Sequence, residues 1–229
     1  MLLRTWATLI IYWSVTAANN CSRNDTAAAT MDTTAESAVT AAGRIASSGH
    51  QIQSDSAWRA MLDTVRTSIG RDDAAGARAL RSFAATARGE APTTNEVAGS
   101  ALMRSADELD TLAANIDAGR RPSPERVDSS LARLEHAESL NHLAKAIDAW
   151  AARRRLPASQ ELESAVNQLE LAANDSRTTL DVQTVTAIAN ARWVASRLED
   201  DVTIPTEELL RTVTALDDAV RDLGRRISR

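Results

Sequence analysis

The chain has one cysteine, one lysine and very few aromatic residues, and each shortage excludes a class of protein. With Cys21 alone, no intramolecular disulfide can form, so the fold has no covalent staple. Aromatics make up 3% of the 229 residues, and runs of β-branched or aromatic residues are missing, which removes the usual material of strands. Among the 26 Lys and Arg residues only Lys145 is lysine; that bias, with the abundance of alanine, is what GC-rich coding produces in a bacterium. Charges of both signs interleave to a net −5, and no basic stripe with intervening aromatics offers a footprint for nucleic acid. Beyond the N-terminus no segment is apolar enough to span a hydrocarbon core, which takes about 20 residues.

Recognisable chemistry is missing too. GxGxxG, GxxxxGKS/T, GxSxG, HExxH and CxxCH do not occur, so phosphate-cradling loops, a nucleophile elbow, a zincin helix and c-type haem attachment are all without support. Met31, Met61 and Met103 could each face a histidine across a haem, but nothing in the sequence attaches one. The adjacent carboxylates Asp72–Asp73, Asp200–Asp201 and Asp217–Asp218 diverge on a helix and read as charge at helix surfaces and ends. Three N-x-S/T triplets, at Asn20, Asn24 and Asn174, are little more than chance supplies in so Ser/Thr-rich a chain and carry little weight as glycosylation sites. The expectation is a protein without cofactor and without enzymatic activity.

What is present begins with MLLRTWATLIIYWSVTA: a positive charge at Arg4, an apolar run over 5–17, then small residues at Ala17 and Ala18. That is the layout of a secretory signal peptide over 1–18, with the cut after Ala17 or Ala18. Cys21 follows directly. A lipoprotein box wants small apolar residues before its cysteine, and Asn19 and Asn20 depart from that. The polar stretch after Cys21 fits a tether, and Cys21 is carried as a candidate for lipidation; unacylated, it is free or paired between chains. Residues 19–32 lack periodicity and read as a disordered tether.

Helical patterning then fills 33–229. Alanine loses no side-chain entropy in a helix, and the stops place helices near 33–49, 54–70, 73–88, 94–118, 124–154, 159–175, 179–200 and 206–227. The expected fold is all-α: an antiparallel multi-helix bundle or an irregular α-hairpin array, with a subdivision considered near 90–93. Trp58, Leu62, Val65 and Ile69 form one stripe, capped by Ser54 or Asp55 and stopped by Gly70. Trp58, Trp150 and Trp193 read as core anchors rather than the lining of a ligand groove. Pro92, Pro157 and Pro205 each precede polar residues with a glutamate, and Pro124 heads a looser copy. LAANIDAG, LAKAIDAW and ASRLEDDV lie upstream of such prolines. Duplication of a helix–turn–helix unit is the preferred reading over convergent capping; the Trp, Leu-Gly, Tyr and Phe positions of a tetratricopeptide array are not found.

The segment 124–154 carries two stripes on nearly opposite faces: Val127, Leu131 and Leu134, then Leu140, Leu143, Ile147 and Trp150. The switch falls in EHAESLNH, 135–142, without glycine or proline, so one continuous helix is expected. This stretch holds two of the three histidines. Glu138 and His142 share a face and are weak candidates for metal ligands, with Glu135 one turn earlier; His136 points elsewhere. A solvated or capping patch is the preferred reading, and His50 reads as a helix-end residue.

The function that fits is that of an exported, non-enzymatic helical protein acting as an interaction or structural component of the cell envelope. Its partner is an unidentified protein or envelope component, not nucleic acid. It touches the membrane only through its N-terminus, if Cys21 is acylated or the signal is uncleaved. The alternative is a periplasmic bundle that binds a small ligand or a metal through Glu138 and His142. The intact mass of the protein from its native host tests the N-terminal reading. A chain beginning at Ala18 or Asn19 is expected, and an acyl mass increment at Cys21 would move the cut to directly before it.

Overall fold

The computed structural model describes residues 58–228; the signal peptide, the tether, Cys21, His50 and the helix expected over 33–49 lie outside them. The described residues are 84% helical and contain no strand. Seven α-helices pack compactly: α1 over 58–68, α2 Asp73–Glu90, α3 Glu96–Asp117, α4 Pro124–Ala151, α5 Arg155–Asp175, α6 Val182–Glu199 and α7 Thr206–Ile227. A short 3-10 turn, Ala91–Thr93, links α2 to α3.

Local chemistry sets the boundaries. Asp72, Asn95, Ser123 and Asp181 each accept a hydrogen bond from a first-turn N–H of α2, α3, α4 and α6, which satisfies a donor the helix itself leaves orphaned. Asp72 is thus a cap, and its neighbour Asp73 accepts from the Gly70 N–H at 2.7 Å. α5 starts four residues earlier than the pattern suggests, at Arg155, with Pro157 as its third residue. The missing proline N–H falls within the first turn, where no intrahelical partner exists.

The prolines occupy four different positions. Pro92 lies in the 3-10 turn, Pro124 is the first residue of α4, Pro157 the third of α5, and Pro205 the residue before α7. LAANIDAG, LAKAIDAW and ASRLEDDV likewise end at different places relative to their helix termini. Such a register mismatch favours convergent capping over duplication.

What does recur is the way helices end. α3, α4, α5 and α6 all close with the same pair of bonds, as in Arg154 N–H to Ala149 O and Arg153 N–H to Trp150 O at the end of α4, the Schellman arrangement. Gly119 holds the left-handed position after α3, but Arg153, Arg177 and Asp201 hold it after α4, α5 and α6, at φ 58°, 52° and 57°. A Cβ makes that conformation costly by about 1–2 kcal/mol.

Helices adjacent in sequence pack together, α2 on α3 through α6 on α7, and α7 also returns to α4. Bonds between neighbours run in reverse order: on α4, Ser139 and His142 meet Ala165 and Glu161 of α5. α4 is a single helix through the 135–142 switch, as expected, because α3, α5 and α7 cover it from different sides. Its first stripe and Leu140 and Leu143 are buried, whereas Ile147 is exposed and Trp150 only partly buried. Trp58, Leu62, Val65 and Ile69 do face the core, with Trp58 edge-on to Phe83 at 4.7 Å. Buried residues on both sides of 90–93 share one apolar core.

That core is rich in alanine, so backbones approach closely enough for hydroxyls to bridge them. Ser105 of α3 donates to Arg133 O of α4 at 3.2 Å, Ser139 of α4 to Ala165 O of α5 at 2.7 Å, and Ser159 of α5 to Ala195 O of α6 at 2.7 Å.

The helix ends generate a pair of opposed expectations. Arg153 is exposed, and a Cβ added at Gly119 would meet no atom within 4 Å, so backbone conformation dominates both. Arg153→Gly should stabilise the fold by about 0.5–1 kcal/mol and raise the melting temperature by about 2 °C, while Gly119→Ala should destabilise it by about 1 kcal/mol. Thermal unfolding followed by circular dichroism reads both signs.

Candidate functional site

The middle of α4 concentrates the polar residues of the interior. EHAESLNH is not a solvated or capping patch: Glu135, Glu138, Ser139 and Asn141 are buried, with Glu135 and Asn141 fully so. The reason is the position of α4. Covered from three sides, the middle of α4 has no free face, so residues between its two apolar stripes also point at neighbours.

The polar side chains diverge into three groups. Glu135 lies with Arg66 of α1, Asp128 one face-repeat earlier on α4, and Asp175 at the end of α5. Arg66 bonds both Asp128, at 3.4 Å, and Asp175. Neither oxygen of Glu135 meets a hydrogen-bond donor from the described residues. Burial first, then the Asp175 carboxylate facing it, push its pKa up to about 9. A carboxyl with so high a pKa keeps its proton at neutral pH, and it lies beside the Asp175 carboxylate that Arg66 holds.

The second group joins the end of α2 to α4 and α5. Glu90 accepts from Asn141 at 2.5 Å and from Lys145 at 2.6 Å. Burial works against the Glu90 carboxylate, but Lys145, Asn141 and His142 outweigh it and hold its pKa below the ordinary value. Glu138 accepts from Asn141 at 3.2 Å through one oxygen, while its other oxygen and the Asn141 side-chain Oδ1 meet no donor among the described residues. Burial and the nearby Glu90 charge raise the Glu138 pKa. His142 turns its Nδ1 to Glu161 of α5 at 2.7 Å. The only lysine of the chain thus pairs with a half-buried carboxylate where α2, α4 and α5 converge.

His136 forms the third group. Its Nε2 donates to Val220 O of α7 at 3.0 Å, in the tautomer that carries the proton there. Burial lowers its pKa, so the neutral ring is the form that packs. A Cβ at Gly224 would collide with this imidazole; glycine inside α7 is what lets α7 close on α4.

The two candidate ligands Glu138 and His142 share a face, as the spacing predicts, but each engages a different partner, and Glu135 belongs to another group. Among the described residues no set of three or more His, Cys, Asp or Glu side chains is disposed to hold a metal ion. Arg66, Glu90, Glu161 and Asp175 were not legible as partners. The available hints were the seven-residue spacings Asp128–Glu135 and Glu138–Lys145, which put each pair on one helix face.

Trp193 is the other departure. It is 52% exposed, on the outward face of α6, beneath the Arg197 guanidinium at 4.5 Å from the ring centroid. Arg197 is itself held by Glu208, at 3.4 Å, and by Thr203 O, at 3.2 Å. Val182, 81% exposed, Val185 and Ala189 continue the same stripe, opposite the buried face of Thr184, Ala187, Ile188, Ala191, Val194, Ala195 and Leu198. Among the described residues no helix is long and apolar enough to cross a membrane. No protein family, curated protein or solved structure matches the chain.

The raised pKa of Glu135 fixes the sign of a pH effect. Between its ordinary value, 4.5, and about 9, the folded protein holds a proton that the unfolded chain has released. Its contribution is at its most favourable below pH 4.5 and is lost as pH rises towards 9. Glu135→Gln removes this titration. Stability of the wild type relative to Glu135→Gln should fall with rising pH by up to about 1.4 kcal/mol per unit, as read from urea unfolding at pH 5, 7 and 9. A difference that stays constant across that range would contradict a protonated Glu135.

Proposed function

We propose that this chain is an exported, non-enzymatic array of antiparallel α-hairpins that binds another protein or envelope component through its outer helix faces. The single observation that carries the reading is the outward stripe of α6: Val182, Val185, Ala189 and Trp193. An amphipathic helix at the edge of a fold ordinarily turns polar residues to water. α6 is apolar on both faces, and its exposed tryptophan is held in place by Arg197 before any partner arrives. Tryptophan supplies large contact area at low entropic cost, and a pre-positioned one is the usual anchor of an interface. The buried polar groups of α4 support the same reading from the other side, since the hydrogen bonds they make join helix to helix and lie away from the outer faces.

A photo-crosslinking residue in place of Val185 or Trp193, in the native host, tests this. Discrete adducts are expected there and not from Asp148, an exposed polar position on α4. Absence of α6 adducts would remove the interaction reading. An unprocessed N-terminus and a cytosolic pool, read by pulse-labelling and fractionation, would remove export.

A further inference from the structure

A groove of about 850 Å³ runs between α3 and α7 with α4 as its floor. Its α3 wall presents Val97, Ala101, Arg104 and Glu108, an i, i+4, i+7, i+11 row about 16 Å long. Its α7 wall presents Arg221, Gly224 and Arg225, and the floor is His136 and Leu140, with Arg133 beside Glu108. Four arginines therefore meet one carboxylate in a chain whose acids outnumber its bases, 31 to 26.

The four are not equally engaged. Arg133 grips Glu108 with two nitrogens and is fixed. Arg221 and Arg225 are exposed and, among the described residues, pair with Asp217 and Asp222 of their own helix, at 2.8 and 3.0 Å; such solvent-exposed pairs are weak and exchange readily. Arg104 has no carboxylate partner among the described residues, and its Nε reaches only the Ser100 carbonyl at 3.3 Å. Between these cations the surface is apolar: Val97 is 53% exposed, and Ala101 and Leu140 lie at the base.

We infer that this groove receives an acidic amphipathic helix of a partner protein. Apolar residues at helical spacing would lie on Val97, Ala101 and Leu140, with carboxylates towards Arg104 on one side and Arg221 and Arg225 on the other. Helical length and two-sided charge favour a helix over a compact anion, which would use one wall only. The inference supplies partner chemistry for the proposed interaction role, but on a face other than that of α6. Crosslinks from Val185 and Trp193 test that role without touching the groove.

The test uses the full chain and two labelled peptides of about four helical turns, one with leucines on one stripe flanked by glutamates, the other with lysines in place of the glutamates. Fluorescence anisotropy should show the acidic peptide binding at least about tenfold more tightly than the basic one, with affinity falling as salt rises. Arg104→Glu combined with Arg225→Glu should weaken it about tenfold, whereas Arg153→Glu, outside the groove, should not. Equal binding of the two peptides overturns the inference, as does an unchanged affinity in the double variant. Displacement of the acidic peptide by inorganic phosphate, but not by chloride at the same ionic strength, would also overturn it by revealing a general anion site.

Discussion

Close approach of helix backbones around α4 is the constraint on which the rest of the structure depends. With one phenylalanine and a core largely of alanine and leucine, side chains cannot fill the space between helices set at ordinary distances, and voids forfeit dispersion contacts. The helices must come together until small residues touch. At that distance a serine hydroxyl spans from one helix to the carbonyl of the next, as at Ser105, Ser139 and Ser159. The same distance explains Gly224, where even a methyl group would strike His136. Interhelical hydroxyl bonds and a bare glycine are consequences of one packing requirement.

A small-residue interface has a weakness: alanine against alanine specifies register poorly, since a shift along the helix replaces one small surface by another. The polar residues of α4 supply what the alanines lack. Glu135 must lie where Asp175 and Arg66 meet it, Asn141 and Lys145 where Glu90 ends α2, and His142 opposite Glu161. Any slip would strand a buried charge or donor, at a cost of several kcal/mol. The interior therefore tolerates a protonated carboxyl and some unsatisfied oxygens because the groups that surround them fix which helix faces which.

This division between local and distant chemistry decides what could be read from the sequence. Helix boundaries were legible where a breaker or a proline lies at the boundary itself: the stop at Gly70 and the starts at Asp73 and Pro124. Asn95 and Asp181 were not legible as caps, and the helices they cap start two and three residues later than expected. The end of α4 was placed three residues late, at 154 against Ala151, where Arg153 and not a glycine takes the left-handed turn, whereas the ends of α5 and α6 came within one residue. The continuity of α4 followed from the lack of a breaker in 135–142. Its burial did not, because a polar segment between two stripes looks solvated until the helices that cover it are placed. Glu90 and Glu161 stand 51 and 19 residues from the groups they bind, and no local pattern connects them. Trp193 was assigned to the core for a related reason: helical spacing among aliphatic residues identifies an apolar face, and α6 has two.

The contrast between α4 and α6 is what the proposed binding role rests on. α4 is polar where most helices are apolar, and its polar groups are consumed in holding the array in register. α6 is apolar where an edge helix is normally polar, and within the described residues Val182, Val185 and Trp193 of its outer stripe stay half or more exposed, with the Arg197 guanidinium over Trp193. The groove above α4 shows the same economy: Arg133, close to the floor, is locked to Glu108, while Arg104, Arg221 and Arg225 on the walls are held weakly or by no acid at all. Some buried oxygens of Glu135, Glu138 and Asn141 apart, groups that keep the fold together are satisfied mostly from within. Those left over, an anchored tryptophan on one face and three lightly held arginines on another, lie on the outside, where a partner rather than the protein's own chain can engage them.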